Sequence, residues 1–404
     1  MTGSRYIKGS VQGSLGGRYE LTISELTLYF ALVIHLAIAV FYPVYSGLIG
    51  SFPLLLGICS VVFVFEIGIC EVDLLETVSV IAFLLFSMLS ITINHSGMGV
   101  LIQFIWPLVL ILFFRHAELT DRHTIRISLL MLITWIIGIA STARYTDAYF
   151  RGFHSNGFLP EGINPNTAAF IITVTCFFIT IWSERTQYSI PTKVFLYTLT
   201  AFAVYHTRSR SSLIAFVIVV LTEIFLKKKI SHSKAIAIIL AISIVLIGTA
   251  FPFVYVNVYQ DKTVETDVEI MGKNVFSGRE DIWIHVQNYL RANKSAYLWG
   301  IGYNTDLYSR GSFNLHNAYL QLFAQYGALV LILYMIYILY LISKWFGTRR
   351  CISDQQFACY KVVLFILIVS VSETILSYTP FLIYLSMALG IGCRMAGEVQ
   401  SHDP

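Results

Sequence analysis

Charge is what this sequence has least of. Only 12% of its 404 residues are Asp, Glu, Lys or Arg, about half the ~25% usual in soluble domains. With 56% hydrophobic residues and a mean hydropathy of +0.72, that shortage excludes a soluble globular enzyme and implies a polytopic membrane protein. The net charge of +4 is modest and gives no ground for a nucleic-acid partner. A Walker loop, a dinucleotide fingerprint, an HExxH helix and a serine–histidine–acid constellation are all missing. None of the six cysteines falls between Tyr259 and Tyr319, which excludes a disulfide framework there. Cys351 and Cys359 have no nearby His or Cys companions and do not fit zinc-ligand spacing. No cleavable leader is evident, because the first apolar run, near Leu26, follows Arg5, Lys8 and Arg18 and is long enough to span.

What the chain has is apolar segments. Those long enough to cross about 30 Å of hydrocarbon lie near residues 26–47, 51–70, 74–93, 98–114, 125–143, 166–183, 194–207, 211–226, 234–257, 317–343, 361–378 and 380–395. The expected fold is therefore an all-α polytopic membrane protein of about twelve helices, since irregular backbone cannot face lipid. Three regions follow: helices one to nine over 1–257, a large partly helical loop over 258–316, and helices ten to twelve with the C-terminus over 317–404. Lys and Arg cluster in the links holding Arg115, Arg122 and Arg126, then Lys227 to Lys229, then Lys344, Arg349 and Arg350. The positive-inside rule puts these links and both termini in the cytoplasm and the large loop outside.

That loop is the one long polar run, well beyond ordinary connection lengths, and is more in keeping with function than with a tether. Over 279–297 the residues Ile282, Val286, Tyr289 and Leu290 recur at helical spacing, while Ser277 and Glu280 have the form of a capping box. The short outer links carry basic residues against the rule: Arg144 and Arg151 in one, Arg208 and Arg210 in Thr207-Arg208-Ser209-Arg210-Ser211. Two readings stand for that arginine pair, snorkelling to lipid phosphates or binding an anionic lipid-linked group. Asn166 or Thr167 would cap the helix after Pro165, whose free N-terminus favours a phosphate.

Arg151, Arg208, Arg210, Arg279 and His316 are thus the outer groups able to do chemistry. Arginine binds phosphate oxygens in pairs and stays charged. Histidine can take and release a proton near neutral pH. Together they suit neutralising a diphosphate leaving group while an attacking hydroxyl is deprotonated, although a histidine hydrogen-bonded at a helix entrance is an equally ordinary reading of His316. Within the spans, His35, Glu66, Glu223 and Glu373 are candidates for a proton path, with Glu66 and Glu223 read as structural.

The order Arg210 opening a span, Ser277-Gly278-Arg279 with Trp283, Gly300-Ile301-Gly302, Leu315-His316-Asn317 and Gly327 resembles the O-antigen ligase/polymerase superfamily (Wzy and WaaL types) over about 144–335. The resemblance implies a GT-C-like, inverting, metal-independent glycosyltransferase without a cofactor, at the outer leaflet of the bacterial cytoplasmic (inner) membrane. It implies a glycan on undecaprenyl diphosphate as donor and a lipid-linked oligosaccharide as acceptor. Membrane lipids and a chain-length-regulating membrane protein are the other expected partners. By similarity Arg151, Arg210 and Arg279 would contact the diphosphate, His316 would activate the acceptor, and Arg208, Asn317 and Tyr319 would line the substrate site. The Ser-Gly-Arg-x-x-x-Trp form looks more like polymerases of O-antigen, capsule or exopolysaccharide than like a ligase acting on lipid A–core. A polysaccharide or lipid-carrier transporter would instead predict repeated halves with interrupted helices, and no such repeat is visible.

Overall fold

A computed structural model describes residues 74–96, 101–116, 121–142, 165–184, 189–260, 279–302, 314–347, 351–377 and 379–401, with two short strands at 269–270 and 273–274. The first two expected spans, Arg151 and the Ser277 cap lie outside the described residues.

The described chain is a helical bundle. In order come α1 (Leu74–Ile93), α2 (Ile102–His116), α3 (Asp121–Thr142), α4 (Pro165–Ser183), α5 (Ser189–His206), α6 (Arg210–Ser231) and α7 (Lys234–Gln260). After a two-residue antiparallel ladder, Glu269–Ile270 on Lys273–Asn274, come α8 (Arg279–Ala292), α9 (Ala296–Trp299), α10 (Ala318–Tyr326), α11 (Ala328–Lys344), α12 (Asp354–Val369) and α13 (Thr379–Ser401). Among the described residues, three helices are both long and apolar enough to cross a membrane, Leu74–Ile93, Asn166–Ser183 and Lys234–Gln260.

Helices α4 and α12 form the centre. From Ala168 to Phe178 every side chain of α4 except that of its neighbouring ends is buried, and α12 is buried from Gln356 to Leu367. Helix α4 packs on α3, α5 and α12, and α12 on α6 and α13. The outer helices show lipid their apolar side chains, among them Leu85 on α1, Phe195 and Phe202 on α5, Ile224 and Phe225 on α6, and Leu246 and Ile247 on α7. Soluble proteins do not expose apolar belts of this kind. This is a membrane protein.

Charges inside the bundle are paired. Glu76 on α1 accepts from Arg115 at 2.8 Å and Lys344 at 2.6 Å, which fastens one end of α1, α2 and α11 together. Glu223 on α6 accepts from Lys361 at 2.9 Å, Lys193 at 3.1 Å and the Tyr197 hydroxyl at 2.6 Å. Lys361 had been expected to begin a span as a cytoplasmic charge. Instead it is fully buried in mid-helix, because Glu223 and Tyr197 take its ammonium protons.

Two expected spans are redrawn. The run 317–343 is not one helix: it breaks at Gly327, whose φ of 87° ends α10 and starts α11. A Cβ there would lie 2.0 Å from the Leu298 carbonyl oxygen, so only glycine lets the two chains cross. Gly300, at φ 76°, sits as tightly on the Gln325 carbonyl. The backbone N–H groups of Ile301 and Gly302 then donate to Ala324 at 2.7 Å and Gln325 at 3.1 Å, satisfying carbonyls that the end of α10 leaves open. Gly300-Ile301-Gly302 is therefore a packing device. The run 361–378 is displaced towards the N-terminus, to Asp354–Val369, because the Ser353–Gln356 capping box starts the helix early. The helix ends at Val369, and Ser370 to Glu373 turn away from it before a short 3-10 segment, Ile375–Ser377.

Candidate active site

Helix α8 carries Arg279 in its first turn. Its buried face is Glu280, Trp283, Val286, Gln287 and Leu290, rotated from the expected Ile282, Val286, Tyr289 and Leu290. Trp283 is the cause. Its ring packs edge-on against Phe251 and Tyr255 of α7, and its Nε1 donates to the Leu315 carbonyl at 2.7 Å. Gln287 follows it inward and donates to the Pro252 carbonyl at 3.3 Å. Arg279 and Trp283 are four residues apart and share a face, so seating the indole aims the guanidinium at the bundle.

His316 sits in the turn ahead of α10. Its backbone is left-handed, φ 50°, which a residue with a Cβ adopts at a cost and only where its surroundings enforce it. Here they do. The N–H groups of Leu315 and His316 donate to the side chains of Gln321 and Asn314, both at 2.8 Å. Asn317 caps α10, accepting from Leu320 N–H at 2.7 Å, and gives its amide protons to the carbonyls of Gly248 at 2.9 Å and Val371 at 2.7 Å. Tyr319 is wholly buried with its hydroxyl donated to the Leu367 carbonyl at 2.8 Å. Asn317 and Tyr319, expected as substrate contacts, are engaged in holding the turn that presents His316.

The centre of the arrangement is Glu373. One carboxylate oxygen accepts from Asn166 Nδ2 at 2.7 Å and from Arg279 Nη2 at 3.1 Å. The other lies 3.9 Å from His316 Nδ1. Arg279 is held further by the Ser372 carbonyl, 2.7 Å from Nη1. Asn166, expected to cap α4, stands inside its first turn after Pro165, and its amide goes to Glu373 instead.

Arg210 opens α6 with Ser209 as its N-cap residue. Burial first, and then the nearby Arg279 cation, pull its pKa down, while Tyr255 opposes them. It remains a cation, since a guanidinium keeps its proton in proteins. Two arginines within reach of each other's charge, one partly answered by Glu373, form a place where an anion is welcome. Arg208 occupies the α5–α6 turn itself in left-handed backbone, φ 53°. The structure thus gathers Arg210, Arg279 and His316, and adds Glu373 and Asn166.

Residues 195–335 match the family model described as O-Antigen ligase. Over that stretch, about a third of its length, the chain is similar to this family. No curated protein matches the chain. The matched segment takes in Arg208, Arg210, Arg279, His316 and the Gly300–Gly327 crossing. Asn166 and Glu373 lie beyond its two ends, and Glu373 ties Arg279 of the matched segment to Asn166 of α4.

Proposed function

We propose that this protein is an inverting membrane glycosyltransferase that polymerises oligosaccharide repeat units carried on undecaprenyl diphosphate. The observation that carries this reading is that Glu373 holds Arg279 beside His316, with Arg210 near enough to Arg279 to feel its charge. Arg210 and Arg279, joined by Arg151 and Arg208 from the neighbouring links, hold the diphosphate of the donor and take up the charge released as it leaves. Such charge stabilisation is commonly the largest catalytic contribution, and here arginines supply it with no call on a metal ion. His316 removes the proton from an acceptor hydroxyl, worth about 10²–10⁴ in rate. The acceptor oxygen bonds to the anomeric carbon from the face opposite the diphosphate as that bond breaks, so the configuration inverts. The site opens at the outer leaflet of a bacterial cytoplasmic membrane, with both termini cytoplasmic and a chain-length-regulating membrane protein as partner.

The family description favours a second reading, an O-antigen ligase that moves the finished glycan to lipid A–core. Purified protein in lipid nanodiscs, supplied with a lipid-linked repeat unit, separates the two. A ladder of oligomers formed without lipid A–core is expected. Transfer to lipid A–core alone would establish the ligase, and no glycosidic product with either acceptor would end both readings.

A further inference from the structure

Glu373 is a charged group in direct contact with Arg279 to which the reaction so far gives no task. Both hydrogen bonds it accepts fall on a single oxygen, from Asn166 and Arg279. The second oxygen faces His316 Nδ1 across 3.9 Å, too far for a hydrogen bond. That nitrogen is buried and has no hydrogen-bond partner among the described residues. A histidine that accepts a proton at Nε2 must carry its own proton on Nδ1, and a carboxylate against that N–H both selects this tautomer and stabilises the imidazolium that forms. Glu373 is about 1 Å short of that position.

We propose that Glu373 is a positioning residue that changes partners when the donor binds. This rests on the transferase reading above. In the empty site the carboxylate neutralises Arg279. A diphosphate offers Arg279 more negative charge and paired oxygens, the arrangement a guanidinium fork binds best. Arg279 passes to it, and the second Glu373 oxygen closes on His316 Nδ1–H while Asn166 keeps hold of the first. The cations facing this carboxylate are Arg279 from α8 and, beyond it, Arg210 from α6; the turn adds only the neutral Asn314 and Thr374. His316 is therefore the group left to receive the freed charge. The base is completed only with the donor in place. The acceptor proton then passes to Nε2, the acceptor oxygen bonds to the anomeric carbon, and the electrons of the broken C–O bond leave with the diphosphate, held by Arg210 and Arg279.

Glu373→Gln tests this, because the two halves of the proposal move in opposite directions. The amide oxygen still accepts from Asn166 and Arg279, but its NH₂ now faces Nδ1 as a donor and forces the proton onto Nε2, the wrong nitrogen. Binding of undecaprenyl diphosphate to protein in nanodiscs should tighten several-fold, since no anion competes for Arg279. Turnover at saturating donor should fall on the order of 10²-fold, and Glu373→Asp should restore part of it. Weaker binding together with lost turnover would make Glu373 a scaffold residue and overturn the exchange, as would binding and turnover both unchanged. Wild-type protein that binds undecaprenyl diphosphate but transfers no glycan would remove the transferase reading alone. The binding comparison between wild type and Glu373→Gln would still decide the exchange.

Discussion

Asn317 donates its side-chain amide to the carbonyl of Gly248, the group that Pro252, four residues on in α7, leaves without its helical donor. Proline has no N–H to give, so a defect in one helix becomes the socket for the cap of another. Gly248 itself is the floor on which the Tyr319 ring lies, with space for no Cβ. Asn317→Ala should therefore cost more than the ~1 kcal/mol of an ordinary cap. Two carbonyls lose their donor as well, at about 1–3 kcal/mol each when buried. The thermal unfolding midpoint in detergent should drop clearly, and a midpoint equal to wild type would show that the socket contributes nothing.

His316→Ala should reduce glycan transfer by about 10²–10⁴-fold with the protein still folded and inserted. The side chain is partly exposed and, among the described residues, His316 hydrogen-bonds through its backbone N–H, to Asn314. Near-wild-type product ladders would take His316 out of the reaction.

Arg210→Lys should impair transfer severely even though charge is kept, because an ammonium is a point charge and does not reproduce two parallel bonds to phosphate. The loss is expected in donor KM as well as in kcat. Full activity would mean that Arg210 only anchors α6 at the membrane surface.

Gly327→Ala should leave little folded protein. The added Cβ would sit 2.0 Å from the Leu298 carbonyl oxygen, and that is backbone, which cannot swing aside. The clash comes on top of about 1–3 kcal/mol for a backbone at φ 87°, ψ 173°, a region essentially reserved for glycine. Yield after size-exclusion chromatography is the measurement, and a normal monodisperse peak would contradict the crossing.

Glu223→Gln should destabilise by about 3–5 kcal/mol, since it leaves the buried Lys361 ammonium without a carboxylate, and adding Lys361→Met should recover much of the loss. Lys361→Met alone should cost less, because Glu223 keeps Lys193 at 3.1 Å and the Tyr197 hydroxyl. Glu223 stands thirteen residues along α6 from Arg210, about 20 Å at helical rise. Variants that still fold should therefore keep their donor KM, and a large change in that constant would mean that the pair communicates with the site.

Most of the helices were legible from hydropathy, because a lipid-facing apolar stripe leaves a plain mark. What hydropathy does not carry is where a helix stops for reasons other than polarity. Gly327 interrupts an otherwise unbroken apolar run, and only its crossing with Leu298 explains the break. Glu373 was read as a residue within a span. The polar cluster Ser370-Val371-Ser372-Glu373-Thr374 was the available sign that the helix had already ended. Arg210, Arg279 and His316 are legible as candidates because polar groups beside the spans of so apolar a chain are conspicuous. Glu373 lies fifty-seven residues after His316 and shares no motif with it, so only the fold brings the two together.

The turn that presents His316 is tied down largely through peptide groups: the carbonyls of Gly248 and Val371 receive Asn317, that of Ser370 receives the Ala318 N–H, and that of Leu315 receives Trp283. Any amino acid supplies a carbonyl. At Val371, Ser370 and Leu315 the bond to the turn is therefore indifferent to the side chain, whereas Gly248, with no room for a Cβ, and the donors Asn317 and Trp283 are held to their identity.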